Sequence, residues 1–185
     1  MIFDKLEKEL PAHLTYHNRY HTADVMQAAE IIAGNENIPE KEKELLLTAA
    51  LFHDTGFLKK RAGHELESCN IAQYYLPLYG YTPDEIEQVS TLIMATKLPQ
   101  SPQEKLGEIL CDADLDYLGR DDFFTLSDRL FAELKAEGLI RDEEEWNREQ
   151  ADFMGKHQYF TTSQVKLRQP AKEQYVELIK SKITH

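Results

Sequence analysis

Apolar residues recur along this chain at steps of three and four almost throughout, the spacing of a helix face. In Thr22–Ile32 the positions Val25, Met26, Ala29 and Ile32 follow that rule, and Gly34 stands beyond them as a stop signal. Ile38-Pro39-Glu40 opens a second helix, in which Leu45, Leu46, Ala49, Ala50 and Phe52 are apolar nearly all round. That pattern predicts a buried helix closed by Gly56. After the polar stretch Lys59–Gly63, a helix is expected from about His64 to Tyr79. Another starts at the capped Thr82-Pro83-Asp84-Glu85 and continues through Ile86, Val89, Leu92 and Ile93. Leu98–Pro102 reads as a proline-marked loop. Glu104–Leu118, Asp121–Gly138 and Asp142–Met154 are helical in period, with acidic residues toward their starts. A last helix, Ser163 to Ile183, contains Pro170 and so begins late or bends there. No segment alternates apolar and polar residues as a strand would. The expectation is an all-α chain, residues 1–185 forming a single domain of about eight or nine helices.

Composition narrows the function classes. The net charge of −12 disfavours nucleic-acid polymers and anionic membranes as partners, because both would repel the chain. It leaves room for a small phosphorylated molecule, since a bound metal inverts the local field. With 42% hydrophobic and 29% charged residues, the chain has the makings of a packed core. Two cysteines, Cys69 and Cys111, make no disulfide framework and suit a reducing cytoplasm. Met1–Leu10 carries five charges and reads as no signal peptide. A cytoplasmic protein is expected, with monomer or homodimer left open.

The seven histidines are unevenly placed. His13, His17 and His21 are spaced by four, which would align them on one face if the segment is helical. His53-Asp54 closes the most apolar helix, and Asp112-Ala113-Asp114 follows the apolar Ile109-Leu110. A buried helix ending in histidine and aspartate must compensate charge where solvent is scarce. A divalent ion does this well, and local capping is the plainer alternative.

Taken together, Tyr16-His17-Asn18-Arg19-Tyr20-His21-Thr22-Ala23-Asp24-Val25, then His53-Asp54, then Asp112-Ala113-Asp114-Leu115 resemble the HD-domain phosphohydrolase superfamily, in its small bacterial metal-dependent branch. The first string is also similar to the tyrosine-histidine-asparagine motif of cyclic-nucleotide phosphodiesterases. The likeness spans residues from about 11 to 120, and the C-terminal helices are expected to cover that core. It implies an HD-type helical bundle in which His21, His53, Asp54 and Asp114 hold one divalent metal. The family motif, Ala-Asp before a basic or apolar residue, points to Asp114. Asp112 is then an alternative ligand or a partner that orients one.

Two imidazoles and two carboxylates suit Mn²⁺, Fe²⁺, Ni²⁺, Mg²⁺ or Zn²⁺ without choosing among them. The implied reaction is hydrolysis of a phosphate ester, a nucleotide or a related small metabolite. A metal-bound water, its pKa lowered from ~15.7 toward ~7–9, would attack. His17 is expected to protonate the leaving oxygen or to bind phosphate. Relatives that hold two metals use further histidines. His64 resembles the first of these, but Thr96-Lys97 stands where the next is expected. One metal is therefore favoured, with His64 as a general acid or base or as a ligand through water.

Lys97, Arg61, Asn18, His157 and Arg168 are the candidate phosphate contacts. A degenerate HD module that binds a nucleotide or partner without turnover is the competing reading. An oxygenase with paired irons would need the ligand missing at Thr96.

Overall fold

In a computed structural model, which describes residues 2–183, ten α-helices and three short 3-10 turns account for the regular structure, and no strand occurs among the described residues. The all-α expectation holds, with slightly more helices than the periodicity suggested. The residues gather into two compact units, 2–11 with 17–114 and 12–16 with 115–183.

The first unit holds α1 (Ile2–Glu9), α2 (Arg19–Asn35), α3 (Glu40–Phe52), α4 (His64–Tyr75), α5 (Pro83–Ala95) and α6 (Lys105–Asp114). The 3-10 turns Thr55–Leu58 and Leu76–Tyr79 flank α4. Helix α2 packs on α3 and α6, and α5 packs on α3, α4 and α6. Val25, Ala29, Ile32, Leu46, Ala49, Leu92, Ile93, Ile109 and Leu110 fill the space between them.

Helix α2 ends at Asn35, one residue beyond the expected glycine stop. Asn37, at φ 59°, turns the chain there, a conformation that asparagine tolerates better than most residues. The start of α2 departs further from expectation. Asn18 is extended, and its side chain accepts from the Tyr20 backbone N–H at 2.9 Å, so the helix begins at Arg19. His13 and His17 therefore lie outside it, and the three histidines do not share a helical face. Helix α5 opens at the expected capped start, where Thr82 and Glu85 exchange bonds in a capping box.

The second unit holds the 3-10 turn Asp116–Gly119, then α7 (Phe123–Ala136), α8 (Glu143–Lys156), α9 (Thr162–Leu167) and α10 (Gln169–Lys182). Leu118, Phe123, Met154, Val176 and Ile179 form its core, and α10 packs on α8 and α9. The expected final helix is two helices broken at Arg168, with Pro170 in the first turn of α10, where its missing N–H costs nothing.

Candidate metal centre

Three helix ends meet inside the first unit. His21 lies in the first turn of α2, His53 follows the last residue of α3, and Asp114 is the last residue of α6. Their ligand atoms converge: His21 Nε2 is 3.4 Å from His53 Nε2 and 3.2 Å from Asp114 Oδ1, and His53 Nε2 is 3.5 Å from that oxygen. Asp54 Oδ2 stands 3.3 Å from each imidazole nitrogen. Bonds of ~2.1 Å give ligand–ligand edges of ~3.0–3.4 Å in an octahedral or tetrahedral shell, close to these separations.

The donor chemistry fits a cation as well. Asp54 Oδ2 is buried and accepts no hydrogen bond, a costly state for a carboxylate oxygen unless a positive charge faces it. His53 Nδ1 lies 2.8 Å from the Ala50 carbonyl, which can only accept, so Nδ1 carries the proton and a neutral ring turns its Nε2 lone pair to the cluster. The C-terminal dipoles of α3 and α6 also favour positive charge at their ends.

Without a metal, protons do this work. Burial alone would lower the His21 pKa, but the Asp114 and Asp54 carboxylates outweigh it and raise it to about 9. Burial acts likewise on His53, and the same two carboxylates hold its pKa well above the usual histidine range. In return the imidazoles overcome burial of Asp54 and Asp114 and keep both carboxyls below their ordinary range.

A tight turn sets the His53-Asp54 geometry. Ser68, fully buried on α4, donates from Oγ to the His53 carbonyl at 2.6 Å and accepts from the Gly56 N–H at 2.8 Å. Thr55 Oγ1 donates to the Phe52 carbonyl at 2.8 Å. A Cβ on Gly56 would fall 1.9 Å from the His64 carbonyl oxygen, so only glycine lets the turn lie this close to the start of α4. That approach brings His64 Nε2 to 3.3 Å from Asp54 Oδ1, while its Nδ1 donates to the Arg61 carbonyl at 3.0 Å. Burial opposes the charged form of His64, but the Asp54 carboxylate prevails and raises its pKa.

The other candidates fall into distinct places. His17 lies beside the cluster, its ring 5.8 Å from that of His21 in an edge-on arrangement. Asn18 caps the helix that carries His21. The Arg61 guanidinium carbon lies 4.9 Å from the centre of the Phe57 ring. Lys97 is in the exposed turn after α5, next to the buried Thr96, whose hydroxyl donates to the Ile93 carbonyl. Asp112 is fully buried on α6, two residues from Asp114 and so on another face of the helix. Cys111 is no thiolate donor: burial raises its pKa, and its thiol faces the Ala95 carbonyl.

His157 and Arg168 belong to the second unit. Lys172 Nζ lies 3.2 Å from His157 Nδ1, and Arg168 forks onto Asp116 with bonds of 2.7 and 3.1 Å. One residue that the sequence pattern does not single out also shapes the centre, Ser68. Ser68 carried a weak signal, lying one helical turn beyond His64.

The family model described as HD domain matches residues 18–116, just over half of the chain. The chain belongs to the HD domain family. HD domains bind divalent metals, and His21, His53 and Asp114 form a group that could hold one. The match begins after Tyr16 and His17, so it does not carry the phosphodiesterase-like string. Among solved structures, this HD protein is similar to a crystal structure titled a predicted HD superfamily hydrolase from an uncultured Thermotogales bacterium. The identity is 20% and the TM-score 0.63, over 97% of this chain and 88% of the other, a likeness of fold. No curated protein matches the chain. No described helix is long and apolar enough to cross a membrane.

Proposed function

We propose that this HD protein is a metal-dependent phosphohydrolase that cleaves a small phosphate ester, a nucleotide or a related metabolite. The observation that supports this best is the convergence of two imidazole nitrogens and two carboxylate oxygens, one of them, Asp54 Oδ2, buried without a hydrogen bond. One divalent ion held by His21, His53, Asp54 and Asp114 would supply positive charge for phosphoryl oxygens and acidify water toward neutral pH.

The chain's own residues would do the rest. His17, at the edge of the cluster, would protonate the leaving oxygen. His64, held by Asp54 and the Arg61 carbonyl, would serve as a second acid or base, or as an anchor for water. Lys59, Arg61 and Lys97 are positive groups in a strongly negative chain, and they would draw an anionic substrate. Asp112 would orient rather than ligate. Arg168, forked onto Asp116, is the weakest of the phosphate candidates.

Elemental analysis of the purified protein, followed by turnover of nucleotides and of simple phosphate mono- and diesters, tests this reading. The expected result is a bound divalent metal and metal-dependent release of product. His17→Ala should retain the metal and lose ~10²–10⁴-fold in kcat on an unactivated ester, with a smaller loss on a nitrophenyl ester, whose leaving group needs no proton. A metal-loaded protein that binds nucleotides and hydrolyses nothing would instead support a binding module, the reading that Thr96 favours by standing where a second-metal histidine was expected.

A further inference from the structure

We propose that Phe57 is a positioning residue, the flat wedge that holds His17 on one side of the centre and His64 on the other; this rests on the hydrolase reading above. Phe57 is buried, yet it belongs to neither apolar cluster of the described residues. Imidazoles stack on its faces instead, and the Arg61 guanidinium carbon also lies 4.9 Å from the ring centre. The His17 ring stacks on it at 4.3 Å and 20°, and the His64 ring at 4.2 Å and 30°. Two rings at those distances and tilts cannot share one face without overlapping, so they lie on opposite faces, roughly 8 Å apart.

The wedge is tied to the metal doublet through the backbone, because the Phe57 N–H donates to the Asp54 carbonyl at 3.1 Å. One flank of the sandwich therefore touches His21 through His17, and the other touches Asp54 Oδ1 through His64. His17 precedes the first residue of α2, so the helix does not fix its ring plane. The flat face of Phe57 limits its rotation. A proton donor acts only within a few tenths of an ångström of its target, and a misplacement of about 1 Å can cost ~10²-fold in rate.

The test compares Phe57→Leu, which keeps apolar bulk and loses the flat faces, with Phe57→Tyr, which keeps them. Phe57→Leu should retain its metal, lose ~10–10² in kcat on an unactivated ester with KM little changed, and lose less on a nitrophenyl ester. In a His17→Ala background the same substitution should cost clearly less than in the wild type, since the part that acts through the His17 ring is already lost. Phe57→Tyr should stay near the wild type. In NMR spectra the Cε1–H signals of His17 and His64 should be shifted upfield by the ring current in the wild type and relax in Phe57→Leu. The wild-type half of that arm needs neither turnover nor a folded variant.

Additive losses in the double variant, equal losses on both esters, lost metal in Phe57→Leu, or unshifted imidazole signals would each overturn the role. A wild type that turns over ester while Phe57→Leu matches it overturns this role alone. A wild type that holds metal and turns over nothing overturns the hydrolase reading and this role with it.

Discussion

Replacing Ser68 by alanine probes how much the His53-Asp54 turn depends on a single hydroxyl. Ser68 Oγ satisfies two buried backbone groups at once, the His53 carbonyl at 2.6 Å and the Gly56 N–H at 2.8 Å. Both would be left without that partner in a fully buried place. Each such group costs ~1–3 kcal/mol, and some relaxation of the turn reduces the sum, so the expected destabilisation is about 2–4 kcal/mol. At ~2–4 °C per kcal/mol for chains of 150–250 residues, the melting temperature should fall by about 5–15 °C. The effect on the centre should be separable from this. His53 and Asp54 ride on the released turn, and loss of a group that orients ligands typically weakens metal binding by ~10–100-fold. Titration calorimetry with Mn²⁺ or Ni²⁺, paired with thermal melts in metal and in chelator, reads both quantities. The metal-induced rise in melting temperature should shrink in Ser68→Ala, and Ser68→Cys, a weaker donor, should fall between. A Ser68→Ala protein within about 0.5 kcal/mol of the wild type and with unchanged metal affinity would refute the reasoning.

His53→Ala or Asp54→Ala should strip most of the metal, since either removes a donor and leaves charges uncompensated. His13→Ala, which loses only an exposed pairing with Glu137, should leave metal content as it is, and elemental analysis of the three proteins decides. Metal uptake should release protons at pH 7.5, because without metal His21 titrates at about 9 and His53 well above its ordinary value. Affinity should then rise about ten-fold per pH unit for each proton displaced, up to about pH 9; calorimetry in buffers of different ionisation heat that finds no proton release contradicts this. The metal-free protein should show the opposite pH trend where His21 is concerned. The raised His21 pKa stabilises the fold fully below ~6.5, and that contribution is lost as pH rises through about 9, which melts in chelator can follow. Gly56→Ala should destabilise by ~1–3 kcal/mol or more and weaken metal binding. Its Cβ would meet the His64 carbonyl oxygen at 1.9 Å and push α4 off the turn, so an unchanged melting temperature would argue against that contact.

The positions of the candidate ligands were legible because each carried a local signal. His53-Asp54 ended the most apolar helix, and Ala113-Asp114 closed another apolar run. The order of these signals along the chain carried the HD resemblance. The choice of Asp114 over Asp112 came from the motif, and helix geometry gives it a reason: residues two apart lie about 200° apart around the axis, so a helix that aims one at the cluster turns the other away. The shared face imagined for His13, His17 and His21 was illegible in the opposite sense. Four-residue spacing suggested a helix, but Asn18 is a strong N-cap, and its side chain starts α2 only after His17. Ser68 and Phe57 escaped for a different reason. Their roles are contacts with a turn or a ring from other segments, which no periodicity records.

The convergence itself follows from packing that the sequence did show. Ala29 and Ala33 on α2, and Ala49 and Ala50 on α3, have no accessible surface, and side chains this small let the two helix backbones lie close. Ile109 and Leu110 bring α6 into the same core. When apolar stripes of this kind fix three helices against one another, the ends of those helices are fixed too. His21, His53 and Asp114 sit in the first turn of one helix, just past the end of another and at the end of the third, so their 3.2–3.5 Å separations follow from the apolar packing of those helices. The centre is thus assembled by the core, and the Ser68–Gly56 turn adds the fourth donor, Asp54, to a triangle the helices have already drawn.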